Sequence, residues 1–202
     1  MTMSKRKAKT ASELMAELAG DAAYLERERQ REKELQRKEE EFSRAEEPLV
    51  RDLRAAGLQL SSIWDLVNTR KSYASVVPLL LEHLDRPYPE RVREGIARAL
   101  AVPEARQGWN KLVDSYLSET DATAHGIKWA LHLAIAAAAD LTVLDTLIRL
   151  AIDKRHRRNR AMFVPALAKM ADPRARVALD ELADDPDLAD DVRRAKKLQG
   201  YD

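Results

Sequence analysis

The chain has no cysteine, which removes disulfides, thiolate nucleophiles and cysteine-based zinc sites from consideration. Glycine is nearly as informative: the six present stand singly, so neither a GxGxxG turn nor a Walker-type phosphate loop can be assembled. Aromatic residues make up only 5% of the chain, too few for a protein built mainly of β-sheet. Charge of one sign is not in excess either. A net charge of +1 excludes a polycation that coats nucleic acid by bulk electrostatics. Long apolar runs are missing too. The greasiest stretch, Trp129 to Ala139, contains His132 and falls well short of the roughly 20 residues that span a bilayer. The N-terminal MTMSKRKAKT leads into SELMAELAGD, with neither the apolar segment nor the small-residue cleavage site of a secretory signal. The expectation is a cytoplasmic protein that needs no membrane.

What is present favours helix. Ala, Leu, Arg, Glu and Asp dominate, and the 34% charged share is that of helices with solvated faces. Residues 1–9 read as a basic disordered tail. Residues 10–47 read as a long charged helical arm, opened by a capping box of Thr10 and Glu13 and an apolar stripe of Leu14 and Leu18. Glu34 with Lys38 and Glu40 with Arg44 stand four residues apart in the favourable orientation. Beyond Leu25 only Leu35 and Phe42 interrupt the charges, so no heptad seam supports a coiled coil. Pro48 suits a first helical position and opens a third region, 48–202.

In that region short helical patterns alternate with turn signals, and they repeat. Leu49/Leu53, Leu80/Leu84, Val113/Leu117, Leu147/Leu150 and Leu179/Leu182 mark the first helix of each pair. Ile63/Val67, Ile96/Leu100, Trp129/Leu133, Phe163/Leu167 and Ala195/Leu198 mark the second. Successive members lie about 31 to 34 residues apart, a solenoid-type period. Stacking such pairs buries faces that one pair cannot cover, at roughly 1.5–3 kcal/mol per buried Leu, Val, Ile or Phe.

The stretch VVPLLLEHLDRPYPERVREGIARALA, residues 76–101, resembles a HEAT repeat. Its first helix is leucine-rich with an early proline, its turn is acidic, and Val92-Arg93 precedes an Ile-x-x-Ala-Leu second helix. The Val-Arg pair recurs as Val192-Arg193, whereas His125 and Asn159 stand where Val92 would align in the middle repeats. The resemblance covers about residues 48–198. It implies an all-α, HEAT-like α-solenoid of about five helix pairs, preceded by the long charged helix. It further implies a curved surface that usually holds another protein and sometimes nucleic acid.

Catalytic machinery is not apparent. His83, His125, His132 and His156 lie in separate segments without a metal-binding spacing, and read as surface or groove histidines. Ser61, Ser62 and Ser72 sit where helices begin, as caps do, and acidic pairs such as Asp190-Asp191 suit helix N-termini. No catalytic residue, metal ligand or cofactor site is assigned. The candidate partner-binding residues are Tyr88, between two prolines, and the basic run Lys154, Arg155, His156, Arg157, Arg158 and Arg160. Two readings of that run stay open. It grips phosphate or an acidic protein surface, or it is neutralised by the equivalent turn of the next repeat, Asp184-Asp185-Pro186-Asp187. Trp64 and Trp129 are expected in the core, and Trp109 partly exposed. The functional expectation is a non-enzymatic scaffold or adaptor with a protein partner. The alternative is a nucleic-acid-binding HEAT-like protein, including an enzyme resembling the alkylpurine DNA glycosylases.

Overall fold

The computed structural model describes residues 10–11, 20–120 and 126–200, except the side chain of Arg157. The basic tail at 1–9, the capping box through Glu13, the stripe Leu14/Leu18 and His125 lie outside the described residues. Among those described every regular element is helical and none is a strand. Contacts divide the chain into two compact units, Met1–Arg44 and Ala45–Asp202.

The first long helix, α1, spans Ala22–Ala55. Asp21 opens it, its carboxylate accepting from the backbone N–H of Ala23 at 2.9 Å and Tyr24 at 3.1 Å. Glu34 pairs with Lys38 at 3.1 Å as expected, while Glu40 takes a hydrogen bond from Gln36 at 3.2 Å rather than a partner in Arg44. Leu25 and Leu35 are exposed. Pro48 is not a helix start; it lies inside α1. An interior proline leaves the carbonyl four residues earlier, that of Arg44, without its helical donor, and the division between units falls at that residue. Burial of Leu49, Val50 and Leu53 offsets the lost bond.

Within Ala45–Asp202 the end of α1 turns at Gly57, whose φ of 96° requires glycine. Short α2 (Trp64–Val67) completes the first pair. A 3₁₀ turn, Ala74–Val76, leads into α3 (Val77–Leu84), which packs on α4 (Glu90–Ala99). Another, Pro103–Gly108, leads into α5 (Trp109–Ser118), which packs on α6 (Ile127–Ala138). A third, Leu141–Val143, leads into α7 (Leu144–Ile152), and a long 3₁₀ segment, Lys154–Phe163, connects it to α8 (Val164–Ala168). The last pair is α9 (Pro173–Ala183) and α10 (Ala189–Gln199). The second members pack in series, α2 on α4, α4 on α6, α6 on α8 and α8 on α10. On the other side α3 meets Pro103–Gly108 and α7 meets α9.

The aliphatic columns account for these contacts. Leu49, Leu53, Leu80, Leu84, Leu147, Leu150, Leu179 and Leu182 are buried, as are Ile63, Ile96, Leu100, Phe163, Leu167 and Ala195. Other assignments are out of register. Leu117 is 51% exposed and Tyr116 fully buried, so the column in α5 runs through Leu112 and Tyr116. Leu66 replaces Val67, and Leu198 is 78% exposed while Val192 and Ala195 face inward. In α6 the core residues are Leu131 and Ile135; Trp129 and Leu133 are half-buried on the opposite side. In α5 and α6 two apolar pairs compete for the inner face, and the packing of the neighbouring helices decides between them.

Gly95 permits the close approach of α4 to the first pair, because a Cβ there would lie 2.6 Å from Ile63 Cγ2. Trp109, expected to be partly exposed, is buried at the start of α5.

Because the buried columns described above lie within Ala45–Asp202, that fragment is expected to melt cooperatively with near-full helicity. Circular dichroism of the truncated chain checks this; a broad, non-cooperative melt would place part of the core in residues 1–44.

Candidate partner-binding face

The second helices turn one side to the core and leave the other partly open. In α6 the open side carries Trp129, Leu133, Ala136 and Ala137, which share one helical face by their i, i+4, i+7 and i+8 spacing. The guanidinium of Arg98, on α4, lies 4.5 Å from the Trp129 ring centre and 5.6 Å from that of Trp64. It therefore ties the indoles of α2 and α6 together, each contact contributing about 0.5–1 kcal/mol at a partly exposed site. Glu94, one turn earlier, holds Arg98 from the side at 2.8 Å. The tryptophans are thus not interior packing, as expected from sequence, but the walls of a half-exposed ladder.

Further along the same side a groove of about 820 Å³ opens between α6 and α8. Leu133, Leu141, Met162, Pro165, Ala166 and Met170 are among its lining residues. A smaller hollow between α8 and α10 adjoins it, sharing Pro165 and Lys169, and includes exposed Leu198 in its lining. Four charged residues line the two hollows: Asp140, Lys169, Asp191 and Arg194. Asp140 is paired with Arg106 and accepts from the Thr142 backbone N–H at 3.0 Å. Asp191 lies 3.4 Å from Arg158. Among the described residues no carboxylate lies within 4.0 Å of Lys169 or Arg194. The trough is apolar, and its uncompensated charge is positive.

The residues singled out in the sequence are placed differently. Tyr88 is half-buried; its ring stacks on His83 at 5.8 Å and its hydroxyl meets His83 Nδ1 at 2.7 Å. The basic run is largely neutralised from within. Arg160 is 1% exposed and pairs with Asp185 at 2.8 Å, while Arg158 donates to the Asp187 carbonyl at 3.0 Å and reaches Asp191. Arg155 folds back on Asp153, whose carboxyl these hydrogen bonds hold down to about 2. His156 is buried, and Lys154 is exposed. The acidic turn of the following pair is therefore the partner of Arg158 and Arg160. Residues of the groove escaped the sequence reading because Trp129 and Leu133 hold the repeat period as well as core residues do. Their only distinguishing signal was a second apolar pair, Leu131 and Ile135, on the other face of α6.

The described histidines are not surface residues either. His83, His132 and His156 are 0%, 0% and 6% exposed. His132 and His156 pack on Tyr116, at 4.4 and 4.8 Å between ring centres, and His132 on Phe163 at 5.0 Å. Imidazoles fill ring-shaped space that an aromatic-poor chain has few other ways to fill. Nε2 of His83 lies 3.2 Å from Asp52, yet burial, helped by Arg86, outweighs that attraction and pushes the imidazole below its ordinary value. No three His, Asp or Glu side chains converge as metal ligands among the described residues, and no helix among them is long and apolar enough to cross a membrane. Comparison of the chain with protein-family models, curated proteins and solved structures returned no match.

Two expectations follow. Asp185→Ala removes the 2.8 Å carboxylate partner of the buried Arg160 guanidinium and should lower stability by about 3 kcal/mol in chemical denaturation, whereas Arg160→Met with Asp185→Leu should recover most of that loss. His83 should titrate below 6.5 by NMR. Since its folded value is depressed, its contribution to stability is full above the unfolded value and is lost as the pH falls through the window beneath it. A midpoint at or above the ordinary value contradicts the burial argument.

Proposed function

We propose that the chain is a HEAT-like solenoid acting as a non-enzymatic protein-binding scaffold, with the second-helix side of Ala45–Asp202 as its docking face. One observation carries the reading. The half-exposed apolar side chains of α6 and α8 line one continuous groove, while the same helices are packed to completion on their other side. A face so exposed costs solvation unless something covers it in use. The series of second helices and the recurring 31-to-34-residue spacing support the solenoid part. The Trp64–Arg98–Trp129 ladder supplies the residue types that concentrate binding energy at protein interfaces. The basic run speaks less for nucleic acid now that Arg158 and Arg160 are engaged by Asp185, Asp187 and Asp191.

Leu133→Arg places a charge in the trough without touching the buried face of α6. Affinity capture from the source cells with the wild-type chain should retain a protein that the variant loses, with unchanged helicity in both. Equal capture by the two would remove the groove from the reading. Tight duplex-DNA binding with a steep salt slope and no captured protein would replace the reading with the nucleic-acid alternative.

A further inference from the structure

Resting on that reading, we infer that the groove between α6, α8 and α10 takes an amphipathic helix whose apolar stripe is flanked by Asp or Glu. The trough is lined by Leu133, Met162, Pro165 and Ala166, and the adjoining hollow by exposed Leu198. That form suits the apolar stripe of a helix lying along it, the helix-in-groove mode of recognition. An extended strand would need a sheet edge to pair its backbone, and among the described residues there is none.

Charge selects the flanks. Both carboxylates bordering the trough are already held, Asp140 by Arg106 and Asp191 by Arg158. Both cations, Lys169 and Arg194, are exposed and without a carboxylate within 4.0 Å among the described residues. Lys169 borders both hollows, and Arg194 borders the second. A basic partner would meet these two charges unscreened by any free acid on the rim. An acidic flank would neutralise them and gain in encounter rate and in register. The arginine ladder lies at the α2–α4–α6 end of the same side, so it adds no opposing field.

The test is selection from a display library of helical peptides of about 18 residues, some 27 Å long, with a fixed leucine stripe and flanks drawn from Glu, Lys, Gln and Ser. The full-length chain should enrich Glu at the flanks. The Lys169→Glu, Arg194→Glu double variant should enrich Lys instead, and should bind the Glu-rich peptides about tenfold more weakly by fluorescence anisotropy at low salt. Circular dichroism confirms that both exposed substitutions leave the fold intact. Enrichment indifferent to flank charge, no enrichment, or equal binding by Leu133→Arg would each overturn the inference. Host-protein capture that depends on Leu133 but not on Lys169 and Arg194 would sink this inference alone. Capture that ignores Leu133 would remove the groove from the reading beneath it and this inference with it.

Discussion

Each helix pair of Ala45–Asp202 has more apolar surface than it can bury by itself, and its neighbour covers the excess. Leu80 and Leu84, Leu112 and Tyr116, Leu147 and Leu150 are buried on the first helices, and Ile96, Leu131, Ile135 and Leu167 on the second. The series α2, α4, α6, α8, α10 follows from that need. The arrangement also creates the groove. A helix packed in a row has one side turned to its pair-mate, two to its neighbours, and one left over. In α6 the left-over side is Trp129, Leu133, Ala136 and Ala137.

Polar groups enter this core on strict terms. Glu46 is 2% exposed and accepts from the Ser62 hydroxyl and the Ile63 backbone N–H, both at 3.0 Å. Those bonds keep the start of α2 satisfied, although burial still raises the carboxyl above its ordinary value. Arg160 is buried with Asp185, and Asp185 in turn accepts from the Asp187 backbone N–H at 2.9 Å, so one pair joins the fourth helix pair to the fifth. Such pairs give little net stability but make the wrong register costly, because any slip leaves a buried charge alone. A small aromatic share is met the same way, with His132 and His156 serving as rings against Tyr116 and Phe163.

The same accounting separates conspicuous residues from available ones. The run from Lys154 to Arg160 is the densest cluster of positive charge in the repeat region, yet much of its charge is spent on Asp153, Asp185, Asp187 and Asp191. Lys169 and Arg194 stand in unremarkable sequence and border an apolar trough. Availability depends on which acids the fold brings near, and for Arg158 and Arg160 those acids come from the following helix pair.

Local order was legible from the chain itself: helices rather than strands, and Glu34 paired with Lys38. These depend on propensity and on contacts within a few residues, which sequence spacing reports directly. The tertiary structure decided which apolar pair of a doubly apolar helix points inward, placing Leu131 and Ile135 in the core and Trp129 and Leu133 on the face. It decided that Pro48 sits inside α1, where buried Leu49 and Leu53 outweigh one missing hydrogen bond. It also decided that Arg160 belongs to Asp185. For Arg160 the choice rests on a residue 25 positions away, because periodicity fixes how often a face recurs and only packing fixes which face is covered.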